Sequence, residues 1–481
     1  MPRTSFFLIF CTIFFSGNLI HSQVTTWLPP DGFSSEKYYS VKVNGESVPV
    51  YDTPAASWAA FDFTGKVTVE ITTMFDVRWV DIRPLRTGLK PEYLTDNSFR
   101  FTLEKPENLS LELNGRIRQQ PLFIFAGKPE KDKPSRTDKN VIWFEGGKLY
   151  KDIALELTDN QTVYIEGGAV VQGYIWAKGK KNVKICGRGI LDGTFVRETK
   201  GNNHRFISMT DCDNAKVEGI TLHNGTTWQV ALYNCTRSII NGIRIVSESG
   251  GDDGMDIFRC RNILVENVFA HTKDDCIAIK SGGKYPGSVP TDSISVRNCV
   301  FWNSLWGNAV EVGFELYSDE VKNIRFDNID IIHVEDGAAM SIHNAGPSFV
   351  HDVVFNNIRV EYADQKLFDV AIFYSEWAPD GSHDQVFRDK YYMQGAWDGV
   401  FRIPPGTESY HRQFRGTISN ITFKNIQVTG GPLPFSVFHG FDSEKNVSGV
   451  TVENLTFMGK RVTNIEDARI RLQNTYNFVI R

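Results

Sequence analysis

The sequence predicts an all-β protein, a right-handed parallel β-helix preceded by a small N-terminal β-sandwich. Three observations carry this. From about residue 180 a motif of apolar-x-apolar, then Asn or Gly, then apolar-x-apolar recurs at a steady interval, as a solenoid requires. Residues 24–125 lack that interval and alternate at period two instead. The chain also holds 40 Gly and 34 Phe with few long Ala/Leu/Glu/Lys runs, which argues against a helical bundle.

At 481 residues the chain can bury a large core without disulfide staples. Its 52 Lys+Arg against 57 Asp+Glu lack the basic excess of a nucleic-acid binder, so no nucleic-acid partner is expected. Apolar residues spread along the whole length exclude intrinsic disorder.

Residues 1–22 open with Arg3, continue through the apolar run Phe6–Phe15 and end at Ser22. This reads as a secretory signal peptide, with export to the extracellular space or periplasm. No later stretch is long and apolar enough to span a bilayer as a helix.

Residues 23–126 form the expected sandwich, with alternating stretches at Tyr39–Val43, Lys66–Ile71 and Phe99–Glu104. The charged, proline-bearing segment from Gly127 to Pro134 opens a linker over 127–139. The β-helix then occupies 140–481. Its turn residues fall at 219, 242, 267, 298, 328, 357, 425 and 454. Asn and Gly tolerate the left-handed backbone of a sharp bend, and stacked Asn side chains can bond from coil to coil. The long step between 357 and 425 marks an insertion near 374–416, rich in aromatic residues including Trp377.

Cys186, Cys212, Cys235, Cys260, Cys276 and Cys299 recur at intervals near the repeat, so free thiols stacked inside the solenoid are expected. The absence of Cys-x-x-Cys pairs argues against zinc. No metal or cofactor is expected, and a monomer is.

Carboxylates concentrate in Asp252-Asp253-Gly254-Met255-Asp256 and, 21 residues on from Asp253, in Asp274-Asp275. That separation is about one coil, and neighbouring strands of a sheet lie roughly 4.8 Å apart. Acids brought so close raise one another's proton affinity, the asymmetry that glycosidic hydrolysis uses: one acid protonates the leaving oxygen while an ionised partner activates water. A calcium site or solvated turn aspartates are the alternatives that the residues alone leave open.

Asp253-Gly254-Met255-Asp256-Ile257, with Asp274-Asp275-Cys276-Ile277-Ala278-Ile279-Lys280, resembles the core motifs of the β-helical clan of glycoside hydrolase families 28 and 49. These are the polygalacturonases and the dextranases and isopullulanases. The resemblance covers roughly 140–460. It implies an inverting glycosidase with Asp274 as general acid, Asp253 and Asp275 holding and deprotonating the water, and Asp256 supporting the pocket.

Departures from family 28 point to the other branch. The Gly-His-Gly motif of that family falls on Gly307-Asn308-Ala309, and its Arg-x-Lys pair on Ser341-Ile342-His343. The region Trp306–Phe314 and the preceding sandwich look closer to family 49, while Lys280 and its neighbours lean toward family 28.

Trp228, Tyr285, Trp306 and Trp377 are candidates to stack on sugar rings, as is Trp302. Asn308, Glu311 and Lys280 are candidates to bond hydroxyls, and His343 is either a neutral binder replacing the missing lysine or a histidine satisfied by nearby backbone. The expected substrate is a polysaccharide with α-linkages, dextran-like glucan first, with galacturonan or an algal galactan as the alternative. A β-helical lyase and a non-catalytic glycan-binding protein are the remaining readings.

Overall fold

The structure is a computed structural model that describes residues 22–196, 205–282, 290–375, 378, 380 and 406–481. The expected signal peptide, Tyr285, Trp377 and most of the insertion therefore lie outside the described residues.

Two sheets form the N-terminal layer pair. One holds six strands, among them Ser57–Thr64, Glu107–Leu113 and Leu122–Gly127; the other holds five, with Val67–Thr73 near its middle. Alternation at period two sends Val41, Val69, Phe99, Leu109 and Ile124 into the shared core. Hairpin-like antiparallel pairing dominates, but Ser57–Thr64 and Leu122–Gly127 run parallel. Leu122–Gly127 is buried at every position because it is covered on both faces. One face meets the sandwich core; the other turns Phe123 and Phe125 onto Phe269 and Trp302 of the solenoid.

Among the described residues, 28 strands from Val141 to Ile480 join in one continuous sheet wound as a right-handed parallel β-helix. Along one face the register is kept from coil to coil, with shifts at Tyr150/Ile153, Phe301/Trp302 and Lys366/Asp369 elsewhere. Val217, Ile240, Val265, Val296, Phe326, Phe355, Phe423 and Val452 are successive partners. Phe326, Phe355 and Phe423 lie with their rings nearly parallel at 4.9 and 4.8 Å. Phe355 pairs with Phe423 directly, so the long step between turn residues leaves the coil uninterrupted.

The turn residues adopt the left-handed conformation, from φ 55° at Asn328 to φ 77° at Gly219. Their amides also form the ladder: Asn328 donates to Asn298 at 2.7 Å, Asn357 to Asn328 at 3.2 Å and Asn454 to Asn425 at 2.9 Å. Inside the coils, Cys186, Cys212, Cys235, Cys260, Cys276 and Cys299 are buried free thiols. No helix among the described residues is long and apolar enough to cross a membrane.

The sandwich is held to the solenoid by buried polar contacts as well as by aromatic packing. Trp58 Nε1 donates to His223 Nδ1 at 3.0 Å. Arg83 pairs with Glu112 of its own layer at 3.0 Å and with Glu361 of the solenoid at 2.8 Å. Trp302, a candidate sugar platform from sequence, belongs to this interface: it is 1% exposed and donates Nε1–H to Glu335.

Candidate active site

Three neighbouring strands build the floor of the site. Met255–Phe258 pairs in parallel with Ile277–Lys280, which pairs with Val310–Phe314. Asp256, Ala278 and Glu311 are therefore in register on three coils, with Ser341 and Asp369 continuing the row. Asp253 and Asp274-Asp275 sit in the turns that lead into the first two strands. Backbone bonds lock these turns together, since Gly254 N donates to Asp275 O at 2.8 Å and Cys276 N to Asn308 O at 3.0 Å.

Asp252, given no role by sequence, staples the same turns. Its Oδ1 accepts from Lys273 N at 3.0 Å and Asp274 N at 3.2 Å, and its Oδ2 from Ser249 N at 2.8 Å. Burial nonetheless pushes its carboxyl up to about 7. Gly307 also serves close approach: it has φ 68°, and a Cβ there would lie 2.5 Å from Asp274 Oδ1 and 2.7 Å from Asp275 Oδ1.

The carboxylates act on one another. Burial and then the charge of Asp253 push Asp274 up to about 7. Asp275 stands well above the ordinary carboxylate range through burial and the charges of Asp274 and Asp253. Asp256, fully buried, is raised by burial and by Asp253, with Lys280 opposing. Lys280 is the central cation. Its Nζ lies 2.9 Å from Asp256 Oδ1, 3.2 Å from Asp253 Oδ2 and 3.7 Å from Glu315 Oε2. Burial works against its charge, but Asp256, Glu315 and Asp253 outweigh it and hold the amine well above its usual range.

The aromatic candidates separate. Trp306 is 49% exposed, next to Gly307, with Lys273 Nζ 4.2 Å from its ring centre. Trp228 is half-buried; Arg205 and Lys280 lie over its ring at 4.3 and 4.5 Å, and Phe258 stacks beside it.

The polar candidates are buried. Asn308 donates to Asp275 Oδ1 from its backbone N at 2.6 Å and from Nδ2 at 3.2 Å. Glu311, without exposed surface, accepts from Asn308 and Ser341. His343 departs from the neutral binder that sequence suggests. Its Nδ1 is 2.9 Å from Glu311 Oε2 and its Nε2 3.2 Å from Asp369 Oδ2. Burial opposes a charge on the ring, but the two carboxylates prevail and hold it up at about 9. Asp369 and its partner Lys366 lie nearly a hundred residues beyond the aspartate motifs, and no local signal marks them. Among the described residues no cluster of His, Cys, Asp and Glu suits a metal ion.

Comparison with known proteins agrees with this architecture. The solved structure of Dex49A from Penicillium minioluteum superposes with a TM-score of 0.68 at 15% identity, covering 95% of this chain and 98% of that one. The family 28 exopolygalacturonase of Yersinia enterocolitica gives 0.51 at 14% identity, covering 95% and 96%. In sequence, the isopullulanase of Aspergillus niger is 22% identical over 433 residues, 71% of each chain. Endopolygalacturonase D of the same species is 22% identical over 70% of this chain and 63% of its own. A protein of Arabidopsis thaliana described as a probable polygalacturonase is 25% identical over 200 residues, so the chain spans only 43% of that relative. Residues 129–383, just over half of the chain, match the model of glycosyl hydrolases family 28. The chain belongs to that family, within the β-helical clan that also contains family 49.

Proposed function

We propose that the protein is an exported, inverting hydrolase of α-glycosidic bonds in a neutral polysaccharide, with dextran-like α-glucan the first candidate. The observation that carries this is the convergence of Asp253, Asp274 and Asp275 on adjacent coils around Lys280, each raised carboxyl responding to the charge of another. An acid that titrates near 7 still carries its proton in weakly acidic solution, as a donor to a leaving oxygen must.

In this reading Asp274 gives its proton to the glycosidic oxygen as the bond to the anomeric carbon breaks. Asp253 and Asp275 hold a water on the opposite face, and Asp253, paired with Lys280, takes one of its protons as its oxygen attacks. One water is consumed, the anomeric configuration inverts, and the proton left on the base returns to Asp274 through solvent. Asp256 and Lys280 support the pocket, and Trp306 offers its exposed ring to a sugar face.

The charge balance favours a neutral substrate. Where family 28 places the Arg-x-Lys pair that meets a uronate, this chain has Ser341 and a His343 already engaged by two carboxylates. Lys280 and Lys366 are likewise paired with acids. At the Arg-x-Lys position a uronate would meet paired cations and their carboxylates rather than a free cation. The second reading, hydrolysis of galacturonan, is favoured by the family 28 match and by the polygalacturonases among the relatives.

Incubation with dextran, pullulan, polygalacturonate and carrageenan, with reducing-end detection and NMR of the first-formed anomer, tests both. New reducing ends of inverted configuration from dextran or pullulan are expected. Cleavage of polygalacturonate alone would shift the assignment to the second reading, and an unsaturated product absorbing in the ultraviolet would replace hydrolysis with elimination.

A further inference from the structure

Asn308, Glu311 and His343 have the residue types of sugar-binding groups, yet their polar atoms are largely taken up by one another. Asn308 directs its backbone N–H and one amide N–H at Asp275 Oδ1, while its own Oδ1 accepts from Ala338 N at 2.9 Å. The same Nδ2 reaches Glu311 Oε2 at 3.0 Å. That oxygen also faces Ser341 Oγ and, at 2.9 Å, His343 Nδ1. His343 Nε2 then meets Asp369 Oδ2, the same oxygen that Lys366 Nζ contacts at 2.5 Å. The line runs from Asp275 across three further coils, and Asn308, Glu311 and His343 are all at least nine-tenths buried.

We propose that Asn308, Glu311 and His343 form a positioning relay that fixes the carboxylate of Asp275 and does so without touching the sugar. The inference rests on the reading of Asp275 as one of the reacting acids. Its physical basis is directional. A carboxylate among other anions turns away from them unless donors hold it, and Asn308 supplies two donors to a single oxygen. An amide can swing about its last bond, so its aim depends on what holds its other atoms. Ala338 N–H holds the carbonyl end, and Glu311 the second amide hydrogen. Glu311 is in turn a buried anion that needs a cation, and His343 provides it.

The charged groups facing His343 are Glu311 on Val310–Phe314, and Asp369 with Lys366 on Lys366–Ile372. The rings of Phe314 and Phe373 cover it at 5.1 and 5.5 Å. The imidazolium is thus held between two carboxylates beneath apolar cover, and its charge persists well into alkaline solution.

Two measurements on the full chain test the relay. The first needs no substrate: ring-labelled histidine is followed by carbon NMR from pH 5 to 10, with His343→Gln identifying the signal. His343 is expected to stay charged to about pH 9, and Glu311→Gln to lower its midpoint by more than one pH unit. A wild-type midpoint below 7, or no response to Glu311→Gln, overturns the relay.

The second measurement compares Asn308→Ala and Asn308→Ser with wild type on whichever glycan is cleaved. A loss in kcat of about 10- to 100-fold with KM within threefold is expected, in line with a misplaced reacting group. A raised KM with kcat unchanged would make Asn308 a sugar contact and overturn the proposal. If Asp274→Asn stays active while His343 titrates as expected, the fault lies in the catalytic reading and not in the relay.

Discussion

Lys280 and Asp256 form an ion pair of 2.9 Å across adjacent coils, and neither side chain is more than 7% exposed. A buried cation with several acids around it is held in place by the cost of removing it. Replacing Lys280 with Met would leave Asp253 and Asp256 facing each other without compensation. A loss of about 3–5 kcal/mol in urea unfolding at pH 7 is expected. The double variant Lys280→Met/Asp256→Leu should recover part of it, and an unstabilised double variant would show that the pair does not act as a unit.

Asp274→Asn separates chemistry from stability. Loss of the donated proton should lower kcat by about 10²–10⁴-fold. Stability should move the other way. The Asp274 carboxyl is raised from the ordinary range to about 7, so between about pH 4 and 7 the folded protein binds more protons than the unfolded chain. Its contribution is therefore progressively unfavourable as pH rises through that window. Removing the charge should stabilise the fold at pH 7 by on the order of 2–4 kcal/mol and make little difference at pH 4. Melting curves at both pH values check the sign.

Asp252 should act through the backbone. The Asp252→Asn variant turns an N–H donor toward the Ser249 N–H or toward the pair at Lys273 and Asp274, so one set of bonds must break. A fall in kcat of about 10- to 100-fold with KM little changed is expected from a shifted Asp274. Steady-state kinetics against wild type will show it, and unchanged kcat would remove the staple from the account.

The asparagine ladder can be tested far from the acids. Asn328 holds φ 55° and bonds both Asn298 and Asn357. Asn328→Ala loses the bonds and places a Cβ in left-handed backbone, for a cost of about 2–3 kcal/mol. Asn328→Gly loses the bonds but relaxes the backbone, and should cost less. Urea midpoints for the two variants give the order.

The solenoid was legible because its rule is local. Each coil repeats the same alternation, and each bend needs a residue that accepts positive φ, so the positions of Gly219 through Asn454 were enough to set the stacking. One-coil arithmetic likewise brought Asp253 to Asp274 and Asp275. The roles of Trp302 and His343 were not legible, since each depends on a partner far away in the chain. Trp302 carries the composition of a sugar platform but is covered by Phe123 of the sandwich. His343 looks like a solitary polar residue until Asp369 closes its other side.

The sequence by itself determined the periodic core, the left-handed turns and the proximity of the acids, because in/out alternation and backbone preference are properties of neighbouring residues. Only the tertiary structure decided which cation answers those acids, which aromatic rings remain open, and which polar side chains support the site from behind. Those outcomes follow from burial and pairing between remote strands, where the cost of an uncompensated charge selects partners that no short stretch of sequence names.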